Sequence, residues 1–207
     1  MTMKLYGFFR SGTSHRLRIA LALKNLPFET VPVDLRKDEH LGEAFRQINP
    51  QALVPALVDD SLVLTQSPAL LEWLEETHPS PALLPTDAVS RARVRALAAI
   101  VGCDIHPINN RRILNQLRAS FGANEAAINA WCGQWIRDGF DAYAALLADA
   151  PEYREQLAHL VVVGETPPEV DALAGVAGAP RAEAAPPGLE RRIEIGDFAG
   201  QIGRAHV

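Results

Sequence analysis

Leu53-Val54-Pro55-Ala56-Leu57-Val58, then Asp59-Asp60, then Ser61-Leu62-Val63-Leu64, followed by Gln66-Ser67-Pro68, is the stretch that decides the fold. Two short apolar runs split by a pair of aspartates read as a β-hairpin. Ser67 as N-cap and Pro68 at the first helical position open a helix, because a serine oxygen accepts an orphan amide and proline has no amide to lose. That helix points Leu70, Leu71 and Leu74 inward and ends before His78-Pro79. Pro55 removes a ladder donor from its apolar run, which predicts an edge strand or a special bend.

Working back towards the N-terminus, Lys4 to Phe9 predicts a strand that turns at Ser11-Gly12. Ser14 to Lys24 predicts a helix with Leu17, Ala20, Leu21 and Lys24 on one face, ended near Asn25 by Pro27. Phe28 to Leu35 predicts a second strand, and Glu39 to Gln47 a short helix broken by Asn49-Pro50. The order is βαβ, α, ββα. Working forward, the Pro-rich stretch 79–87 precedes only helical patterns, Ala88 to Phe121 and Asn124 to Leu147. The expected architecture is a small α/β unit over residues 1–81, an all-α unit over 87–150, and a different tail over 151–207.

Composition narrows the class. Of 207 residues, 48% are hydrophobic and 22% charged, as in soluble globular proteins. A net charge of −5 gives no reason to expect nucleic acid or an anionic membrane as partner. Neither a leader peptide nor a spanning helix is expected. Cys103 and Cys132 fit no CxxC or metal spacing, so no metal is expected and a reducing cytoplasm is the simplest setting.

Chemistry concentrates where strands hand over to helices. Arg10-Ser11-Gly12-Thr13-Ser14-His15-Arg16 lies at the first such junction. A helix N-terminus offers free N–H groups and partial positive charge, which stabilise an anion such as a thiolate, and hydroxyls there donate to it. No cysteine occupies this turn, so a thiolate must arrive with a ligand; plain helix capping is the alternative. Val54-Pro55 offers backbone to a peptide-like ligand, and Gln66-Ser67 offers a hydroxyl and amides to a carboxylate. These three sit at successive strand ends of one sheet, where α/β folds bind ligands.

The segments Arg10-Ser11, Arg16 to Leu21, Asn49-Pro50, Val54-Pro55, Gln66-Ser67-Pro68-Ala69 and Glu72-Trp73-Leu74-Glu75 resemble zeta-class glutathione transferases, over about residues 3–149. This family includes maleylacetoacetate and maleylpyruvate isomerases. Gly102 to Leu114 is similar to the bacterial maleylpyruvate isomerase branch. The resemblance implies a thioredoxin-like N-terminal domain, an all-α C-terminal domain, glutathione as cofactor, a small dicarboxylate substrate and a homodimer. It implies that Ser11 and Thr13 face the glutathione sulfur, within a binding turn formed by Gly12, Ser14, His15 and Arg16. It further places His40 at the glycine end, the Val54 backbone at the cysteinyl unit, and Gln66 and Ser67 at the γ-glutamyl end. His106, Asn110, Arg111 and Arg112 then approach from the helical side, with Arg10, Arg111 and Arg112 as substrate forks and Arg10 joining Ser11 and Thr13 in catalysis. Many relatives carry cysteine where this chain has Thr13.

The implied chemistry is glutathione-dependent cis–trans isomerisation of maleylpyruvate in aromatic-acid degradation. A conjugated C=C resists rotation, but adding a thiolate gives an enolate that rotates about a single bond, and expelling the thiolate restores the alkene. Arg111, where many maleylacetoacetate isomerases are apolar, favours the shorter maleylpyruvate. Maleylacetoacetate isomerisation, general glutathione conjugation and idle glutathione binding are the alternatives. Beyond residue 150 the resemblance stops: Gly164-Glu165-Thr166-Pro167-Pro168-Glu169 echoes a capping box and nothing after it matches. Ile202 to Val207 resembles a translated sequencing adapter, so a frameshift or chimeric tail is expected.

Overall fold

The computed structural model describes residues 2–148, and the divergent tail expected over 151–207 lies outside the described residues. The elements are β1 (Met3–Gly7), α1 (Gly12–Leu23), β2 (Phe28–Pro32), the one-turn α2 (Glu43–Arg46), β3 (Ala56–Asp59), β4 (Leu62–Thr65) and α3 (Ser67–Thr77), then α4 (Ala88–Ala99), α5 (Arg111–Phe121) and α6 (Glu125–Ala148). The sheet order is β2-β1-β3-β4. β1 and β2 run parallel, joined by the crossover helix α1, and the other pairs are antiparallel. This is the thioredoxin-like sheet, followed by helices, that the resemblance implies.

The core follows the two periods in the sequence. Met3, Leu5 and Gly7 alternate inward on β1. Leu17, Ala20 and Leu21 line the buried face of α1, and Leu70 and Leu74 that of α3, packing with Leu57 of β3. Leu71 and Leu84 carry the packing over to Val94, Leu97 and Leu147 of α4 and α6. Lys24, on the same face of α1, is also buried. Its Nζ donates to Glu75 Oε2 at 2.8 Å and to the carbonyls of His78 and Pro81 at 2.6 and 3.0 Å. Glu75 in turn accepts the amides of Leu83 and Leu84.

Several expected boundaries shift. α1 starts at Gly12 because Ser11 is the true N-cap, its Oγ accepting from the Ser14 amide at 3.3 Å. Asn25, at φ 54°, closes the helix. β2 stops at Pro32, and the expected Glu39–Gln47 helix splits. A 3₁₀ turn over Glu39–Leu41 gives way to α2 because Gly42 between them is extended. The hairpin strand begins at Ala56, not Leu53, and β3 is internal, not an edge. Pro55 sits just ahead of the first ladder pair, Ala56 with Tyr6, so its missing donor costs the sheet nothing. The Val54-Pro55 peptide is cis. Ser67 is the first residue of α3, not its cap; Gln66 holds the cap position at φ 68°.

The expected single helix over Ala88–Phe121 is two. α4 widens into a π-helical segment over Ile100–Ile105, ended by the His106 amide donating to the Val101 carbonyl at 2.9 Å. A turn at Pro107 follows, and Asn110 caps α5 by accepting the Arg112 amide at 3.1 Å. α6 lies against the π segment at Gly139, where a Cβ would stand 2.4 Å from both Cγ1 and Cδ1 of Ile105. Ile105 is buried and β-branched, so it has little room to yield. Gly139→Ala is expected to cost about 1–3 kcal/mol in chemical denaturation. Adding Ile105→Val should recover part of it, and an additive double variant would refute the contact.

Candidate functional site

The N-terminus of α1, the loop over residues 35–41 and the π-segment-to-α5 corner enclose a cavity of about 850 Å³. A smaller pocket of about 180 Å³ joins it at Gln66 and Ser67, and Thr13, Arg16, Val54, His106, Asn110 and Arg112 line both. The structure therefore brings together residues from three strand ends and from the helical half of the chain. Arg10, Ser11, Gly12, His40 and Arg111 line the larger space.

Two expected residues lie elsewhere. Ser14 is fully buried beneath Gly7, and its Oγ accepts the Phe8 amide at 3.4 Å, so it holds the turn's shape from behind. A Cβ on Gly7 would meet that Oγ at 3.0 Å, which is why strand and helix approach so closely there. His15 lines neither space, and burial together with the nearby Arg18 pushes its imidazole below the ordinary value.

At the α1 turn, Ser11 Oγ and Thr13 Oγ1 are 2.9 Å apart, and Thr13 donates its hydroxyl to the Val54 carbonyl at 3.1 Å. Thr13 has one proton, so the proton between the two hydroxyls belongs to Ser11. Ser11 thus has a donor that can be redirected to an arriving anion, and Thr13 fixes the Val54 carbonyl.

Arg16 is 5% exposed, and its Nη1 donates to Ser67 Oγ at 3.1 Å, while its Nε is buried without a hydrogen-bond partner. Burial pushes its guanidinium below its ordinary value. His106 lies close by, held low by burial first and by the Arg16 charge second, so it is neutral near pH 7. His40 also has a buried, unpartnered Nδ1. Burial lowers its imidazole, Arg111 and Arg46 lower it further, and Asp38 offsets part of this. Arg111 spans the cavity rim to Asp38, at 2.9 Å, and to the Leu35 carbonyl.

Among the lining residues that escaped sequence reasoning are Arg36, Arg46 and Gln51. Arg36 forks onto Asp34 at 2.9 and 2.8 Å and stacks over the rings of Phe8 and Phe9 at 5.7 and 5.4 Å. Gln51 accepts from Gln66 Nε2 at 2.7 Å. Arg36 lies in a 3₁₀ turn, Arg46 ends the one-turn α2 and Gln51 lies in a turn, and only the capping spacing Asp34-x-Arg36 gave a signal.

The charge pattern specifies the ligand. Arg10, Arg16, Arg36, Arg46, Arg111 and Arg112 line the main cavity, and Asp38 is its single acidic side chain among the described residues. A chain of net charge −5 thus concentrates positive charge in one concave place, which draws and holds anions. Among the described residues no group of three or more metal-ligating side chains occurs, and no helix is long and apolar enough to cross a membrane.

Known proteins resemble this chain in sequence and fold. Residues 10–77 match the glutathione S-transferase N-terminal domain family. Over 150 residues the chain is 70% identical to the maleylpyruvate isomerase of a Ralstonia species, covering 72% of this chain and 71% of that one. The holo structure of a maleylpyruvate isomerase, described as a bacterial zeta-class glutathione S-transferase, superposes with a TM-score of 0.70 at 70% identity, over 72% of this chain and 70% of the other. The maleylacetoacetate isomerase of Methylobacterium extorquens AM1, solved with malonate and glutathione, superposes with a TM-score of 0.69 at 37% identity, over 70% and 69% of the two chains.

Proposed function

The chain belongs to the zeta class of the glutathione transferase family, and from that premise we propose that it isomerises maleylpyruvate to fumarylpyruvate with glutathione as cofactor. The observation that carries this reading is the Ser11–Thr13 hydroxyl pair at the α1 N-terminus, in a turn that has no cysteine and opens into an arginine-lined cavity.

Glutathione fits the unsatisfied groups of the wall. It is a peptide with a carboxylate at each end, and the cavity wall holds the Arg16 guanidinium, buried without a counter-charge, and a buried His40 Nδ1 without a partner. Ser67 and Gln66 would hold the γ-glutamyl end, the Val54 backbone the cysteinyl unit, and His40 the glycine end. When bound, glutathione supplies a thiolate nucleophile that adds to the conjugated alkene and is expelled after rotation. Ser11 turns its hydroxyl from Thr13 to the sulfur, and the α1 amides add their partial positive charge, so the thiol ionises more readily. Arg10 and Arg112 grip the substrate carboxylates and stabilise negative charge that develops on the adjacent carbonyl. Arg111 joins them when the substrate displaces Asp38 from it. His106, neutral beside Arg16, leaves the cavity's charge to the guanidinium groups. The reading carries with it a cytoplasmic homodimer, consistent with two free cysteines.

The test is a direct assay of the full chain with maleylpyruvate, with and without glutathione, beside maleylacetoacetate and a chromogenic conjugation substrate. Glutathione-dependent loss of maleylpyruvate absorbance, with the highest kcat/KM for that acid, is the expected result. Faster turnover of maleylacetoacetate would reassign the substrate, and conjugation alone would overturn the isomerase.

A further inference from the structure

Among the described residues, Arg16 is a buried charge without a counter-charge. It is 5% exposed, no carboxylate pairs with it in any described ion pair, and its Nε has no partner. A buried cation without a counter-charge is costly, and proteins keep such a group where a ligand supplies the missing charge. The group is also enclosed from both halves of the chain. Ser67 of α3 accepts its Nη1, and a Cβ on Gly102 of the π segment would lie 3.8 Å from the same nitrogen.

The direction of the Arg16–Ser67 bond decides what the pair can do. Guanidinium only donates, so the Ser67 oxygen accepts from it, and the hydroxyl proton must point elsewhere. Ser67 is the first residue of α3 and lines the small pocket, where the free amides of that helix also converge. A hydroxyl that accepts from a cation is polarised and donates more strongly to the next acceptor.

Resting on the glutathione reading above, we propose that Arg16 is the positioning residue and resident counter-charge for the α-carboxylate of the γ-glutamyl unit, acting through the Ser67 hydroxyl and not by direct contact. Ligand binding then brings a negative charge next to a guanidinium that otherwise lacks one, with Ser67 between them. Affinity is directed to the γ-glutamyl end specifically, and the thiol's neighbours Ser11 and Thr13 are not involved.

The experiment measures binding by calorimetry and thermal melts on the full-length protein, using reduced glutathione, γ-glutamylcysteine and cysteinylglycine as probes. In Arg16→Met, Kd for glutathione and for γ-glutamylcysteine is expected to rise about tenfold or more. Kd for cysteinylglycine, which lacks the carboxylate in question, should stay within about twofold of the wild type. The ligand-free melting temperature should not fall, while the rise on adding glutathione should shrink. Unchanged affinity for glutathione, or an equal loss for all three probes, would overturn the proposal. Arg16→Lys covers the case of a Met variant that fails to fold. A point charge without the planar fork should weaken glutathione several-fold, and wild-type affinity there would also count against the idea. A wild-type protein that binds none of the probes would refute the glutathione reading itself.

Discussion

Ser11→Ala is expected to lower kcat for maleylpyruvate isomerisation by about 10²–10³-fold, the usual loss when one donor to developing or resident negative charge is removed. The count of hydroxyl protons at the turn leaves one for a ligand. Thr13 spends its single proton on the Val54 carbonyl, and the Ser14 amide already points at Ser11 Oγ. Ser11 is therefore the hydroxyl free to serve a thiolate. Without it the glutathione thiol is less acidic, and the rising limb of the pH–rate profile should move to higher pH. The Ser11 oxygen is also the α1 cap, so alanine should cost about 1 kcal/mol of stability as well. Ser11→Thr restores both roles in part and separates them from misfolding. A Ser11→Ala enzyme with wild-type kcat and an unmoved pH profile would remove Ser11 from the mechanism.

Glu75→Ala should be the most destabilising single change within the described residues, by about 3–5 kcal/mol, lowering the melting temperature by roughly 10 °C. The loss strands the Lys24 ammonium in the core, with side-chain exposure of 0% and only the His78 and Pro81 carbonyls for company. It also frees two backbone amides at Leu83 and Leu84. Pairing the change with Lys24→Met should recover much of the loss, because the cost lies mainly in the lone charge. The pH dependence has a definite sign. Burial alone would raise the Glu75 carboxyl, but the Lys24 ammonium and the Leu83 and Leu84 amides outweigh it and hold it below the ordinary carboxylate value. A carboxylate lowered on folding stabilises fully above its unfolded value, near pH 4.5, and that contribution fades as pH falls through the folded value. The variant's stability should therefore fall less steeply in acid than the wild type's. A Glu75→Ala melt within 2 °C of wild type, an order-of-magnitude margin for below 1 kcal/mol, would refute the account.

The sequence showed most clearly what depends on local period. Leu17, Ala20, Leu21 and Lys24 fall on one helical face and are buried together, and the apolar runs of β3 and β4 announced their hairpin. Boundaries were less legible where a single residue's backbone decides them. The extended Gly42 divides a helix, and Gln66 at φ 68° takes the cap position from Ser67. The π segment was invisible, because no local residue pattern over Ile100 to Ile105 marks where a helix widens, and its contact with α6 at Gly139 joins residues distant in the chain. At the site, each strand-end motif alone also suits a plain cap, and they were readable together because they fall at successive strand ends of one sheet. Arg36 was not, since an arginine in a polar loop has no signature until the loop folds onto Phe8 and Phe9. Lys24 shows the limit best: its position on the apolar face was read correctly, while its partner fifty-one residues away was beyond any local rule.

That partnership has a consequence for anyone exchanging modules between relatives. The carbonyls of His78 and Pro81 and the amides of Leu83 and Leu84 all end on the Lys24–Glu75 pair. The peptide leaving α3 is thus a splint, not a hinge, and belongs structurally to what precedes it. A graft of foreign helices spliced at Pro79, where composition invites the cut, would replace the amides that Glu75 requires. The seam that keeps the recipient's wiring intact lies after Leu84, just ahead of the Asp87 cap of α4.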